Sequence, residues 1–532
     1  MTQAKTVSAQ ALRAMLLDGQ NLDGQELALL DVREERTFSE SHLLFARSVP
    51  LSRLELRIAR LVPRKATRIV LVDDGDGLAV RAAQVLGSAG YSDVGILEGG
   101  NAAWRAAGFE LFSGVNVPSK AFGEFVEHES GTPSISAQEL HQLMQSGTDM
   151  VVLDSRPYDE YSRVSIPTSV DVPGAELVLR VHDIAPKAET LVVVNCAGRT
   201  RSIIGAQSLI NAGVPNRVVA LRNGTMGWTL AGFTPDSGKN NRAPAVSDGG
   251  VAWAKSAAGR VATTLAIERI DAAALARLRA DESRTLYLFD VRDPAEYAAG
   301  HVAGALSAPG GQLVQATDQY AGTLHARIVL VDDKEARAVM TASWLKQMGW
   351  REVYVLVAAG RERGYPANPV LGATPKQSAI NAAALHDLLM KSEVTLIDLS
   401  LSARYREAHL RGAWFAIRSR LARAFDAIKP SGTIVLTSED GVLAGLAVAE
   451  ARALTTAPVR WLAGGNAAWR AAGFPLTAEG PRLADEPVDA WLKPYERAAG
   501  VKEAMAEYLA WETDLLPRIA RDGTARFERF PA

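Results

Sequence analysis

The residues best suited to chemistry lie in one short stretch, V-V-V-N-C-A-G-R-T-R-S, from Val192 to Ser202. It holds Cys196, the single cysteine in 532 residues. An apolar run that reads as a buried strand precedes the thiol, and S-I-I-G-A-Q-S-L-I, a helical pattern, follows it. The loop between them would wrap the backbone N–H groups of Ala197, Gly198, Arg199, Thr200 and Arg201 around the sulfur at a helix amino terminus, which favours an anion. Arg199 and Arg201 would add charge-assisted hydrogen bonds, so the chemistry expected is nucleophilic attack by a thiolate on an anionic substrate. A lone cysteine is also a common inert core residue, or one exposed by accident. It excludes an intramolecular disulfide and argues against a thiolate zinc site. No cofactor or metal is expected.

Two other segments, R-I-V-L-V-D-D at Arg68 to Asp74 and again at Arg327 to Asp333, look like the same strand ended by a carboxylate. They belong to a unit repeated four times. Its openings are V-S-A-Q-A-L at Val7, I-S-A-Q-E-L at Ile135, I-D-A-A-A-L at Ile270 and I-N-A-A-A-L at Ile380. Each sets a capping residue (Ser8, Ser136, Asp271, Asn381) before a helical pattern. A short apolar strand then ends in Asp31, Asp154, Asp290 or Asp398, a second follows near Val70, Val193, Val329 or Val435, and an alanine-rich helical stretch comes next. G-G-N-A-A-W-R-A-A-G-F closes the unit at Gly99 and again at Gly464, with R-N-G-T-M-G-W-T-L-A-G-F at Arg222 as a relative.

Short apolar strands alternating with helices predict parallel sheets covered by helices on both faces, with functional loops at the carboxyl ends of strands. The expected domains are residues 1–112, 130–236, 265–366 and 376–480, followed by a helical extension at 481–532. Boundaries are expected in the polar, proline- and glycine-containing segments 113–134, 234–248 and 365–377, with a linker helix over 251–264. W-L-K-P-Y-E-R and V-K-E-A-M-A-E-Y-L-A-W-E read as two helices docked on the repeats. Lys and Arg total 58 against 60 Asp and Glu, for a net charge of −2, so nothing recommends nucleic acid or an anionic membrane as partner. The opening M-T-Q-A-K-T-V-S-A-Q lacks the apolar stretch of a secretory signal, and no apolar run approaches the roughly 18 residues of a membrane span. A cytoplasmic protein is expected.

D-V-R-D-P-A-E-Y-A-A-G-H-V-A-G-A at Asp290 resembles the amino-terminal signature of rhodanese homology domains, the G-G-N-A-A-W segments resemble their carboxyl-terminal signature, and the Cys196 loop resembles their catalytic loop. The whole is similar to four-repeat rhodanese-related sulfurtransferases in which only the second repeat keeps a cysteine. Departures exist. Repeat 2 has R-V-S-I-P-T-S where a Gly-His motif would fall, repeat 3 has Gly364-Tyr365 in place of the closing tryptophan, and repeat 4 has D-L-S for Asp-x-Arg. The resemblance implies transfer of sulfane sulfur from a donor such as thiosulfate, through a persulfide on Cys196, to cyanide, a cellular thiol or a protein acceptor. Ala197, Gly198, Arg199, Thr200, Arg201 and Arg156 are the expected substrate-binding residues.

At the position of Cys196 the other repeats offer Asp73 or Asp74, Asp332 or Asp333, and Ser438 or Glu439, with the loop expected to be one residue shorter in repeats 1 and 3. A carboxylate cannot accept sulfane sulfur and would place an anion in the amide ring, so these repeats should be silent. Metal binding or an aspartyl phosphate is the competing role for the aspartates. Asp154 and Arg156 read as a strand-end ion pair, with the arginine close to the site in the family. Glu160 reads as a solvated or capping residue. His42, His301 and His409 read as structural and Trp104, Trp228 and Trp469 as core; the glycines before those tryptophans serve a tight strand-to-helix turn, with Arg222 and Asn223 reaching the Cys196 pocket as the lesser alternative. Two further functions stay open: a phosphatase, although the loop is one residue short for that reaction and lacks an obvious general acid, and a scaffold with a vestigial thiol. Repeats 1 and 2 are expected to pair, as are 3 and 4.

Overall fold

The computed structural model describes residues 5–18 and 25–531, except the side chain of Asp18. The first four residues of the segment read for a secretory signal lie outside them. The strands of repeat 1 are β1 (Lys5–Val7), β2 (Leu27–Asp31), β3 (Arg47–Ser48), β4 (Arg68–Val72) and β5 (Val94–Leu97). Those of repeat 2 are β6 (Ser134–Ile135), β7 (Met150–Asp154), β8 (Val170–Asp171), β9 (Leu191–Asn195) and β10 (Val218–Leu221). Repeat 3 contributes β11 (Glu268–Ile270), β12 (Leu286–Asp290), β13 (Leu306–Ser307), β14 (Thr323–Leu324), β15 (Arg327–Val331) and β16 (Val353–Leu356). Repeat 4 contributes β17 (Ala379–Ile380), β18 (Val394–Asp398), β19 (Trp414–Phe415), β20 (Thr433–Thr437) and β21 (Val459–Leu462), with β22 (Arg482–Leu483) beyond it.

Each repeat builds the same sheet: β1-β5-β4-β2 with β3 beside β2, β6-β10-β9-β7-β8, β11-β16-β15-β12-β13, and β17-β21-β20-β18-β19 extended by β22. The named strands within a repeat pair in parallel, and isolated antiparallel bridges such as His42–Phe112 close the unit. β2 and β9 are buried along their whole length, as their apolar runs require, and the equivalent central strands are buried over their carboxyl-terminal residues. The four predicted helix caps form: Ser8, Ser136, Asp271 and Asn381 accept the amides of Ala11, Glu139, Ala274 and Ala384 at 3.1, 3.2, 2.7 and 2.8 Å.

The pairing of repeats differs from the expected one. The linker helix Asp248–Thr264 buries Ala254, Ala257, Ala258 and Val261 in one core that joins Val178 and Val181 of repeat 2 to Val339 and Ala342 of repeat 3. Gly174 and Gly311 bring these two repeats into backbone contact, since a Cβ on Gly311 would lie 3.1 Å from Gly174 Cα. Repeat 1 instead packs on repeat 4, through the forked pair Arg418–Glu55 at 2.7 and 2.8 Å and Ser419 Oγ donating to Glu34 at 2.9 Å. Repeat 3 also lends β14 as an antiparallel neighbour to β2 of repeat 1, covering an edge that β3 leaves half open. The small residues of the linker helix explain the exchange: they let two helices approach closely on both sides, which binds repeat 2 to repeat 3.

Two local expectations also change. The segment read as a boundary at 113–134 contains the helix Val117–Ser130, begun by Pro118 in its first turn and ended by Gly131 at φ +60°. W-L-K-P-Y-E-R is no helix but an extended strap with one turn at Pro494–Glu496, because proline both starts that turn and blocks continuation from Lys493. The extension's helices are Val501–Thr513 and Leu515–Asp522. Among the described residues no helix is long and apolar enough to cross a membrane.

Candidate active site

β9 delivers Cys196 to the carboxyl edge of the repeat 2 sheet, and the helix Thr200–Ala212 starts four residues later. Ladder register pairs Asn195 with Asp154, Val72 with Asp31, Val331 with Asp290 and Thr437 with Asp398. The next residue in each strand end is therefore equivalent: Cys196, Asp73, Asp332 and Ser438. No loop is shorter than that of repeat 2: the next helix starts four residues after Cys196, Asp332 and Ser438, at Thr200, Ala336 and Val442, and five after Asp73, at Leu78. Asp73 accepts the amide of Ala79 at 2.9 Å, Asp332 that of Ala338 at 3.4 Å and Ser438 that of Ala444 at 3.3 Å, each six positions on, and Cys196 Sγ lies 3.5 Å from Ser202, at the same offset. The shorter loop expected in repeats 1 and 3 is corrected by this register.

What fills the loop differs. Asp73 also accepts from the Gly75 amide at 2.9 Å, and Asp332 from the amides of Lys334 and Arg337 at 3.1 and 2.8 Å. In repeat 2 the amides of residues 197–201 have no acceptor among the described residues. Cys196 is buried at 2% exposure. Its carbonyl accepts from the Thr225 amide and hydroxyl, both at 2.9 Å. Gly224 is required there, at φ +53°, since a Cβ would fall 2.2 Å from that carbonyl oxygen.

The three arginines expected to bind substrate are held by carboxylates. Arg156 forks onto Asp154 at 2.7 and 2.8 Å, reaches the Val164 carbonyl, and does not line the cavity at the thiol. Arg199 forks onto Glu124 at 2.7 Å, touches Glu127 and donates to Asn223 Oδ1 at 3.2 Å. Arg201 pairs with Glu160 at 2.7 Å and with Gln312 of repeat 3 at 3.1 Å. Burial pulls the Arg201 pKa down, but Glu160 and, more weakly, Cys196 outweigh it and raise it. Glu160, read as a solvated or capping residue, is partly buried between Arg201 and Lys493, and these cations lower its pKa against the effect of burial. Thr200 donates to Glu512 at 3.3 Å.

A cavity of about 60 Å³ lies over Cys196. Ala197, Gly198, Arg199 and Arg201 line it from repeat 2, Lys120 from the helix Val117–Ser130, and Trp491, Lys493, Tyr495 and Tyr508 from the carboxyl-terminal extension. Neither outer group was read as part of the site, although the extension was expected to dock on the repeats; the signal for the helix was an amphipathic pattern in K-A-F-G-E-F-V-E, which puts Lys120 and Glu124 one turn apart. Arg222 turns away to Ser134 Oγ at 3.2 Å, while Asn223 serves Arg199. His42, His301 and His409 are buried, with Nδ1 lying 2.8, 3.0 and 2.8 Å from carbonyl oxygens. Trp104, Trp228 and Trp469 are core residues. Among the described residues no group of three or more His, Cys, Asp or Glu side chains is placed to hold a metal ion.

The description "Rhodanese-like domain" matches residues 8–107, 136–231, 271–359 and 381–472. A crystal structure of a thiosulfate sulfurtransferase from Pseudomonas aeruginosa is 48% identical, covers 99% of this chain and 100% of its own, and superposes with a TM-score of 0.96. A Bacillus subtilis (strain 168) protein described as "Putative sulfur carrier protein YrkF" is 27% identical over 103 residues, 19% of this chain. The match spans 54% of that curated relative's length. Four matched repeats, four equivalent sheets and one loop architecture show that the chain belongs to the rhodanese-like domain family.

Proposed function

We propose that the protein is a sulfurtransferase that loads sulfane sulfur from thiosulfate onto Cys196. The observation that carries this reading is the contrast between loops. In repeats 1 and 3 a carboxylate accepts the loop amides, and in repeat 2 the strand-end group is a thiol and the amides of residues 197–201 have no acceptor among the described residues. They suit a sulfur that carries negative charge both before and after reaction. The thiolate attacks the outer sulfur of the donor, the donor's S–S bond breaks, and sulfite leaves with the bonding electrons, leaving Cys196 as a persulfide. The amides of residues 197–201, with the Arg201 charge beside them, hold that negative charge. Cyanide or a cellular thiol then attacks the outer sulfur and restores the thiolate. With one cysteine in the chain, the acceptor comes from outside. The match to a thiosulfate sulfurtransferase over nearly the whole chain supports the donor.

Intact-mass measurement after thiosulfate treatment should show one sulfur added per chain, lost again on adding cyanide. Cys196→Ser should abolish both loading and thiocyanate production with unchanged thermal unfolding. Retained transfer by that variant sinks the mechanism, and Cys196-dependent hydrolysis of aryl phosphates at a comparable rate would favour a phosphatase.

A further inference from the structure

Resting on that reading of Cys196, a second question concerns what recognises the donor's oxygens. The cavity of about 60 Å³ is far smaller than the roughly 300–1,000 Å³ of sites for drug-sized ligands, so it suits a compact ion. Four cations border it: Lys120, Arg199, Arg201 and Lys493. The Arg199 fork is closed by Glu124, Glu127 and Asn223. Arg201 occupies the position that Arg337 holds in repeat 3, five residues after the strand-end group. There Arg337 Nη2 grips the Asp332 carboxylate at 2.8 Å, which assigns this arginine to the loop's own anion, here the sulfur.

The lysines differ. Lys120 Nζ is 3.2 Å from Glu512 and stands 5.8 Å from the centre of the Tyr508 ring. Lys493 Nζ is 3.4 Å from Glu160 and 5.7 Å from the Tyr495 ring centre. An ammonium has three donors on a rotatable head, and both contacts are longer than the roughly 2.7–2.9 Å of a closed charge-assisted bond. Each lysine can therefore turn an N–H to an oxyanion while keeping its carboxylate. Both remain protonated: burial lowers their pKa values, but the neighbouring Tyr508 and Glu512, or Glu160 and Tyr495, raise them further. Neither lies within a matched repeat.

We infer that Lys120 and Lys493, supplied by the first linker helix and the carboxyl-terminal strap, are the specificity-determining residues that hold the oxyanion end of the donor while its outer sulfur meets Cys196. The extension, which also packs on the other repeats, is thus part of the site at Cys196.

The test uses the full chain with Lys493→Gln, Lys493→Arg, and Lys120→Met made together with Glu512→Gln so that no buried carboxylate loses its cation. Thiosulfate KM should rise about tenfold or more in the Gln and Met variants, the loss of one charge-assisted bond, with kcat changed much less, and Lys493→Arg should recover most of it. Sulfate, a dianion that cannot donate sulfur, should slow alkylation of Cys196 by iodoacetamide in the native protein and fail to do so in those variants. Unchanged KM with unchanged protection, or no sulfate protection of the native protein, overturns the assignment. If thiosulfate never loads Cys196 but sulfate protection depends on the lysines, the anion site stands and the transfer reaction falls.

Discussion

Repeats 2 and 3 share a sheet order, a loop length and one helix packed between them, and they differ in what occupies the end of the third strand in that sheet. In repeat 3, Asp332 accepts the amides of Lys334, Arg337 and Ala338 and both Nε and Nη2 of Arg337, the last two at 3.0 and 2.8 Å. Arg337 in turn joins Glu296, Asp333 and Glu176 of repeat 2. In repeat 2 the equivalent Arg201 pairs with Glu160, the equivalent of Glu296, while the strand-end group is Cys196. The same loop is filled from within when the chain supplies its own carboxylate, and in the proposed reaction it serves an added anion when the chain supplies a thiol. One residue changes the purpose of the loop, and its neighbours need not move.

Separating the two repeats should have the largest effect. A chain ending at Ser247 lacks the linker helix that buries Ala254, Ala257, Ala258 and Val261 between them, and it also removes the cavity wall made by Lys493, Tyr495 and Tyr508. It should aggregate on size-exclusion chromatography and take up no sulfur by intact mass. A soluble monomer loaded as well as the full chain would show that repeats 1 and 2 form a sufficient pair.

Next comes Asp332→Ala. It strips the fully buried Arg337 of one of its carboxylates, and breaking a buried pair costs about 3–5 kcal/mol. Denaturant unfolding should record a loss toward the lower end, because Glu176 and Glu296 remain as partners. Asp73→Ala, where the amides of Gly75 and Ala79 lose their acceptor and no cation is stripped, should cost about 1–3 kcal/mol.

The sequence shows this comparison only in part. Strand ends, helix caps and the Asp154–Arg156 pair were legible because each is decided within a few residues. Partners of Arg199 and Arg201 were not. Glu124 and Glu127 lie on a helix that its polar composition disguised as a boundary, and Gln312 belongs to another repeat. A charged residue's partner is set by packing between distant segments, so a pair of arginines beside a cysteine looks free in sequence while its donors are closed in the fold. The order of repeats along the chain likewise suggested neighbours in pairs, whereas the alanine face of the linker helix decided otherwise.

A smaller effect separates the repeats at the strand beside β7. Asp171 stands where repeat 3 has Ser307, and burial, with Asp154 nearby, raises its pKa to about 7. The folded chain thus keeps a proton that the unfolded chain releases near pH 4. Stability should fall as pH rises from about 4 to 7 and be flat above that. Asp171→Asn should be more stable than the native protein at pH 8 by about 1 kcal/mol, below the full linkage value because Asp171 borders a solvent-accessible cavity. The difference should shrink toward zero near pH 4. An unchanged gap in melting temperature across that range would mean that Asp171 titrates as an ordinary carboxyl.

The sharpest comparison expects the least change. Asp332→Cys places a thiol in the repeat 3 loop with its amides and Arg337, the parts it shares with the Cys196 site. What it does not acquire is the cavity walled by Lys120 and Lys493, which belongs to Cys196. If loop amides and one arginine sufficed for transfer, thiosulfate would add two sulfurs per chain. If recognition of the donor's oxygens is a separate requirement met outside the repeats, loading stays at one sulfur, although iodoacetamide modifies both thiols after unfolding. The intact-mass spectrum distinguishes these outcomes directly, and a second sulfur would move donor recognition back into the loop that all four repeats share.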